Sequence, residues 1–384
     1  MARHQPHRST RTERKRAGER FIPLALLLGF GVAIWVWWRN QPPPHRATAK
    51  SPTFVAQTNL ATIKPTTVPV PTNEAPLPTK AITELSPTPQ IPPPASAEGF
   101  PRPPRDGFEA QVALARRAIS PGSIDGLIGS QTRAALLAFQ RQAGLPETRE
   151  LDAEARARLA LDAPPLTTYV VTSNDLARLQ PLSKTWLGKS QQTALDYETI
   201  LELVAERGQA SPNSIRKLNP AVDWASVAAG AMILIPDATH PPVTRVGFVV
   251  ISLGEKNLEA FDANTNLLAH FPCSIAARIE KRPAGELHVT AIAPNPDYTF
   301  NPEVFPESPE AQQLKTKLIL PPGPNNPVGT AWISLDKPGY GMHGTPSPEQ
   351  VGRTESHGCF RLANWNADYL IKLVWVGMPV YVEP

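Results

Sequence analysis

Cysteine is nearly missing from this 384-residue chain, which holds two, Cys273 and Cys359. Two thiols cannot build a disulfide scaffold or a cysteine-rich zinc site. Neither His-x-x-x-His nor Cys-x-x-Cys occurs, so no metal and no cofactor is expected. Dispersed basic charge is missing too. The net charge is +4, but residues 1–20 carry seven Lys/Arg against two Glu, which leaves −1 for the rest. A nucleic-acid binder carries its basic residues on a folded face rather than in a tail, so nucleic acid is excluded as a partner.

Proline, by contrast, is abundant at 45 residues, and the length suits two or three domains. After the basic tail (1–20), Phe21 to Trp38 is an unbroken apolar run, just long enough to cross a bilayer as a helix. Trp35, Trp37 and Trp38 suit the far interface, and the basic tail places residues after 38 outside the cytoplasm. A cleaved signal peptide is the rival reading, but Arg39-Asn40-Gln41-Pro42 follows where a small-x-small site would stand. The expectation is a single-pass anchor in the cytoplasmic membrane (21–38), with the remainder periplasmic or extracellular. Residues 39–105 hold 17 of the prolines among Thr, Ala and Ser. Such a composition buries too little apolar surface to offset chain entropy and should stay an extended, disordered linker. At ~3.1 Å per residue it could reach roughly 200 Å.

Residues 106–162 turn helical. Val112, Leu114, Ala115 and Ala118 recur at helical spacing, as do Ala134, Leu136, Leu137 and Phe139. Ile124-Asp125-Gly126-Leu127-Ile128-Gly129 separates the two runs, with Ser130 or Thr132 near the second start, and a third helix follows at 152–160. Asp125-Gly126, Gly129, Thr132-Arg133 and Phe139-Gln140 resemble the three-helix peptidoglycan-binding domain. Residues 167–237 read as strand (168–171), helix (200–207), helix (211–220) and strand (230–236), ending Gly230-Ala231-Met232-Ile233-Leu234-Ile235-Pro236. This βααβ order with Leu218-Asn219-Pro220 is similar to the LysM module. Two features depart from it: Ser173-Asn174-Asp175 stands where Gly-Asp is usual, and about twenty extra residues (178–198) precede the first helix.

From 244 to 384 the pattern is mainly β. Two apolar runs, 246–253 and 257–261, flank Gly254-Glu255-Lys256 as a hairpin, and Leu267 to Ala277 follows as a strand. His288, alternating with apolar residues, and Cys273, in a strand-like run, both read as structural. Near the end stand Gly339-Tyr340-Gly341-Met342-His343-Gly344-Thr345-Pro346 and Ser356-His357-Gly358-Cys359-Phe360-Arg361. Acyl transfer at a thiol needs a sulfur, a base and backbone amides for the oxyanion, and this stretch holds all three. Spacing alone leaves His343 and His357 both open as the base.

These two motifs, with Arg282-Pro283-Ala284-Gly285-Glu286-Leu287-His288-Val289 and Asn295-Pro296 before them, resemble the L,D-transpeptidase (YkuD-type) catalytic domain. The resemblance implies Cys359 as nucleophile, His343 as general base oriented by the Gly344 carbonyl, His357 as support, and Gly358 as an oxyanion N–H donor. Arg361, Ser356 and Tyr340 would meet the substrate. The implied reaction joins peptidoglycan stem peptides, a tetrapeptide donor and an amine acceptor, in 3→3 cross-links with loss of D-alanine. Water or a protein amine are alternative acceptors, and a catalytically inactive wall tether is the non-enzymatic alternative. Glycan strands are a possible partner of the two middle domains. The fold expected is thus multidomain α+β: membrane helix, linker, three-helix domain, LysM-like module and mainly-β catalytic domain.

Overall fold

A computed structural model describes residues 99–305, 308–314, 316–354 and 358–384. The expected tail, anchor and most of the linker lie outside these, as do Ser356 and His357. Among the described residues no helix is long and apolar enough to cross a membrane.

Three helices come first: α1 (Gly107–Ala115), α2 (Ser130–Ala143) and α3 (Ala153–Arg158). Asp106 and Asp152 cap α1 and α3 by accepting from the amides of Glu109 and Ala155. Gly144 ends α2 at φ 66°, where a side chain would be strained. The Asp-Gly turn forms as expected, and the buried Gln111 is its hub. Its Oε1 accepts from the Asp125 and Gly126 amides at 3.0 and 2.7 Å, and its Nε2 donates to the Thr132 hydroxyl at 3.0 Å. Gln140 likewise donates to Thr148 and the Glu150 carbonyl. The motif residues thus bind one another, which is how a small helical fold satisfies its buried polar groups.

Next come β1 (Leu166–Val170), α4 (Ser173–Arg178), α5 (Trp186–Ser190), α6 (Ile200–Arg207), α7 (Pro212–Leu218) and β2 (Met232–Pro236). β1 and β2 pair antiparallel, closing the unit. The two extra helices coincide with the two sequence departures. Thr172 and Asp175 form a capping box that turns Ser173-Asn174-Asp175 into α4, and α5 lies within the extra residues. The helical and βα units share one core, where Leu114, Ile119 and Leu136 meet Leu203, Ile215 and Ile233. Arg116 ties them further, reaching the Asp237 carboxylate at 2.9 Å and the Ala163 carbonyl at 2.9 Å.

The remainder is an eight-stranded sheet with flanking helix α9 (Asn364–Leu373). Its strands are β3 (Phe248–Ser252), β4 (Asn257–Phe261), β5 (Leu267–Pro272), β6 (Gly285–Pro294), β9 (Ala331–Leu335), β10 (Gly341–His343), β11 (Phe360–Arg361) and β12 (Pro379–Glu383). β7 (Tyr298–Phe300) and β8 (Leu318–Leu320) form a separate pair, with α8 (Pro309–Gln313) between them. The order is β11-β10-β9-β6-β12-β3-β4-β5. Ser274, just past β5, exchanges hydrogen bonds of 2.9 and 3.0 Å with Arg361 of β11, so the two edges of the curved sheet meet. The inner face is packed by Ile251, Leu258, Phe271, Ile333, Met342, Phe360 and Val380, each at most 2% exposed. Full burial of each such side chain is worth ~1.5–3 kcal/mol. Cys273 belongs to this core and is fully buried, and His288 sits outside it against Asp336.

Candidate active site

Two short strands assemble the site. β10 and β11 run parallel with Met342 opposite Phe360 and His343 opposite Arg361. Alternation then sorts the side chains. Met342 and Phe360 face the core, while Cys359, Arg361 and His343 share the other face. β9 adds Trp332, opposite His343 on the antiparallel side, and the indole stacks on the imidazole with centroids 5.4 Å apart. Parallel pairing thereby places Cys359 diagonally across from His343, with α carbons about 8 Å apart for ~4.8 Å strand spacing and ~3.3 Å rise.

That face floors a cavity of about 490 Å³ lined by Cys359, His343, Arg361 and Gly358, with aromatic walls from Trp332, Tyr298 and Phe305. Two larger cavities, about 530 and 590 Å³, reach no thiol.

His343 Nδ1 lies 2.6 Å from the Gly344 carbonyl oxygen. A carbonyl only accepts, so the proton sits on Nδ1 and Nε2 is left as the basic nitrogen. Burial holds the imidazole down at about 4, with Arg361 adding to the effect and the Gly344 carbonyl opposing it. The Cys359 thiol donates to the Gly339 carbonyl at 3.4 Å. Burial pushes it up to about 11, while the Gly341 amide and Arg361 favour the thiolate. Each group is therefore uncharged at rest near neutrality. Cys273 is also raised by burial, and more strongly, and neither cysteine is in a disulfide.

The Gly344 backbone is packed closely from behind. Asn364 at the start of α9 is fully buried and lies against Gly344 and Gly329. Its Oδ1 accepts from the Thr330 amide, and its Nδ2 donates to the Pro324 carbonyl and, at 3.0 Å, to Glu206 on α6. Gly329 has φ 62°, and a Cβ there would meet Asn364 Oδ1 at 2.0 Å, so only glycine fits. Burial raises Glu206 to about 7.

Of the residues expected from sequence, Cys359, His343, Gly358 and Arg361 come together at the cavity, and Gly344 stands directly behind it. Tyr340 is not among the lining residues: it packs beside Gly358 against the β core, with Lys337 Nζ 4.7 Å from its ring centre. Sequence reading missed Trp332, Tyr298, Asn364 and Glu206. Trp332 carried a weak signal, as an aromatic in the strand that leads into the His343 motif. Tyr298 faces the thiol, and burial followed by the charge of a Cys359 thiolate pushes its hydroxyl up to about 12.

Residues 247–382 match the L,D-transpeptidase catalytic domain family (YkuD), and residues 108–159 match the family described as "Putative peptidoglycan binding domain". Among curated proteins, "Putative L,D-transpeptidase YkuD" of Bacillus licheniformis is 25% identical over 184 residues, 48% of this chain and 93% of that one. "Probable L,D-transpeptidase ErfK/SrfK" of Salmonella typhimurium is 29% identical over 187 residues, 48% of this chain and 59% of that one. A solved structure, "L,D-transpeptidase from Mycobacterium smegmatis", aligns over 40% of this chain and 66% of its own at 19% identity, with a TM-score of 0.29. The likeness to the L,D-transpeptidase catalytic domain family thus covers residues 247–382, and the likeness to the peptidoglycan-binding domain family covers residues 108–159.

Proposed function

We propose that the chain is a peptidoglycan L,D-transpeptidase that forms 3→3 cross-links through a thioester on Cys359. One observation carries the reading: in-register pairing of β10 with β11 turns a thiol, a neutral imidazole protonated on Nδ1, and a guanidinium toward one cavity. Cys359 Sγ attacks the carbonyl carbon of the third residue of a tetrapeptide donor while His343 Nε2 takes the thiol proton. The C–N bond to D-alanine breaks, and the same proton passes to the leaving amine. An amine from a second stem then attacks the thioester, gives its proton to His343, and expels the thiolate, which is reprotonated. The bond count is conserved, so no nucleotide is consumed. Gly358 and Cys359 amides are assigned to the oxyanion, and Arg361 to a substrate carboxylate. His357 keeps its supporting role, and Ser356 its place at the substrate, on the strength of the motif alone.

The anchor (21–38) and linker (39–105) would hold this domain outside the cytoplasmic membrane at the wall, with residues 106–162 and the LysM-like 167–237 against peptidoglycan. The test is mass spectrometry of the full chain in detergent with purified disaccharide-tetrapeptides, beside Cys359→Ala. A Cys359-dependent dimer lacking one D-alanine supports the reading. Tripeptide monomer alone makes it an L,D-carboxypeptidase, and no acyl-enzyme at all makes it a tether.

A further inference from the structure

The extra residues between α4 and α6 leave their own unit and dock on the catalytic domain. Leu195 is fully buried in a small core with Phe300, Ala311 and Leu320. Its amide donates to the Pro322 carbonyl at 2.8 Å and its carbonyl accepts from the Asn325 amide at 2.9 Å. Trp186, on α5, stacks on Phe300 of β7 with centroids 4.3 Å apart and planes 15° apart, and lies 6.0 Å from the Phe305 ring. The amides of Trp186 and Leu187 both donate to the Glu310 carboxylate of α8, at 2.9 and 3.0 Å. Trp186 also lines the cavity that contains Cys359 and His343. An element preceding the catalytic domain therefore supplies part of its active-site wall.

We propose that Trp186 is a specificity-determining residue. Its indole forms an apolar wall against which the aliphatic side chain of a stem-peptide diamino acid packs on its way to Cys359. The substrate half of this inference rests on the function proposed above. The wall is built from Trp186, Tyr298, Phe305 and Trp332 with Val304 and Val328, a lining suited to methylene groups. Cys359 and Arg361 supply its reactive and charged points. Trp186 is held from two sides, by Phe300 stacking and by Glu310 on its amide, so the ring is pre-positioned rather than recruited.

Two readouts on the full chain in detergent test this, comparing wild type, Trp186→Phe and Trp186→Ala. The first is the rate of Cys359 alkylation by iodoacetamide and by the bulky N-(1-pyrenyl)maleimide, with the modified cysteine identified by mass spectrometry. Loss of the wall should raise the pyrenylmaleimide-to-iodoacetamide rate ratio about fivefold or more in Trp186→Ala and leave Trp186→Phe near wild type. The second is D-alanine release, where KM for the tetrapeptide should rise about tenfold in Trp186→Ala with kcat little changed, and Phe should restore most of it. An unchanged ratio overturns the wall, and a changed ratio with unchanged KM overturns the specificity role. If the ratio shifts but wild type releases no D-alanine, the transpeptidase reading fails while the wall stands. Should Trp186→Ala fail to fold, Trp186→Leu keeps apolar bulk without the ring, and its ratio decides the same question.

Discussion

The charge states of Cys359 and His343 make a prediction that tests the proposed mechanism. With the thiol near 11 and the imidazole near 4, both raised or lowered chiefly by burial, Cys359 and His343 are neutral across the intervening range. At pH 8 the thiolate fraction is then about 0.1%, against roughly a quarter for a free cysteine of pKa ~8.5, a ratio of about 200. Alkylation of Cys359 by iodoacetamide should accordingly be slow, rise about tenfold per pH unit from 7 to 10, and level off only near 11. Turnover should behave differently. In the proposed mechanism neutral His343 removes the proton within the reaction step, so kcat/KM should be nearly flat from about pH 5 to 9. Stopped alkylation with mass-spectrometric counting of labelled Cys359, run on the same samples as D-alanine release, checks both. A plateau in alkylation already reached below pH 7 would falsify the argument, because it would mean a resting thiolate–imidazolium pair that burial should forbid.

Three further outcomes follow from the same geometry. His343→Ala should lower acylation by roughly 10²–10⁴ and leave slow, pH-dependent alkylation of Cys359 in place, which a stopped-flow assay of both reactions reads. Gly344→Ala would put a Cβ 2.3 Å from the Asn364 Oδ1, so the carbonyl behind His343 must move; a kcat loss with a stability cost of ~1–3 kcal/mol is expected, and wild-type kcat with unchanged Tm would count against it. Glu206 is raised to about 7 in the fold, so its contribution is fully present below ~4.5 and is lost as pH rises from there through 7. Glu206→Gln should therefore gain on wild type by up to about 2.5 kcal/mol between pH 5 and pH 8 in urea denaturation, and a pH-independent difference would refute the buried-carboxylate account.

Local signals were legible wherever local physics decided the structure. The Asp125-Gly126 turn, α6 at Ile200–Arg207 and the β3–β4 hairpin all stand close to where periodicity and turn residues put them, whereas Ser130 and Thr132 do not cap α2, which starts from Gly129. The boundary between the two middle units was not legible. Both present apolar helical faces, and sequence cannot say that Ile119 and Leu136 pack against Ile215 and Ile233 rather than among themselves.

The sequence by itself determined which chemistry is available: one thiol with histidines and glycines near it, and a second thiol in an apolar strand that was read as core and is fully buried. Spacing left both His343 and His357 open as the base, and only family likeness favoured His343. Tertiary structure decided the rest. Parallel pairing of two short strands sets His343 on the same face as Cys359, a long-range hydrogen-bonding choice that no local pattern encodes. The Asn364–Glu206 support comes from helices of different units, and Trp186 reaches the cavity from a segment that looked like a mere insertion. Such contacts depend on how separate elements pack, and packing is specified by the whole core rather than by any one stretch of chain.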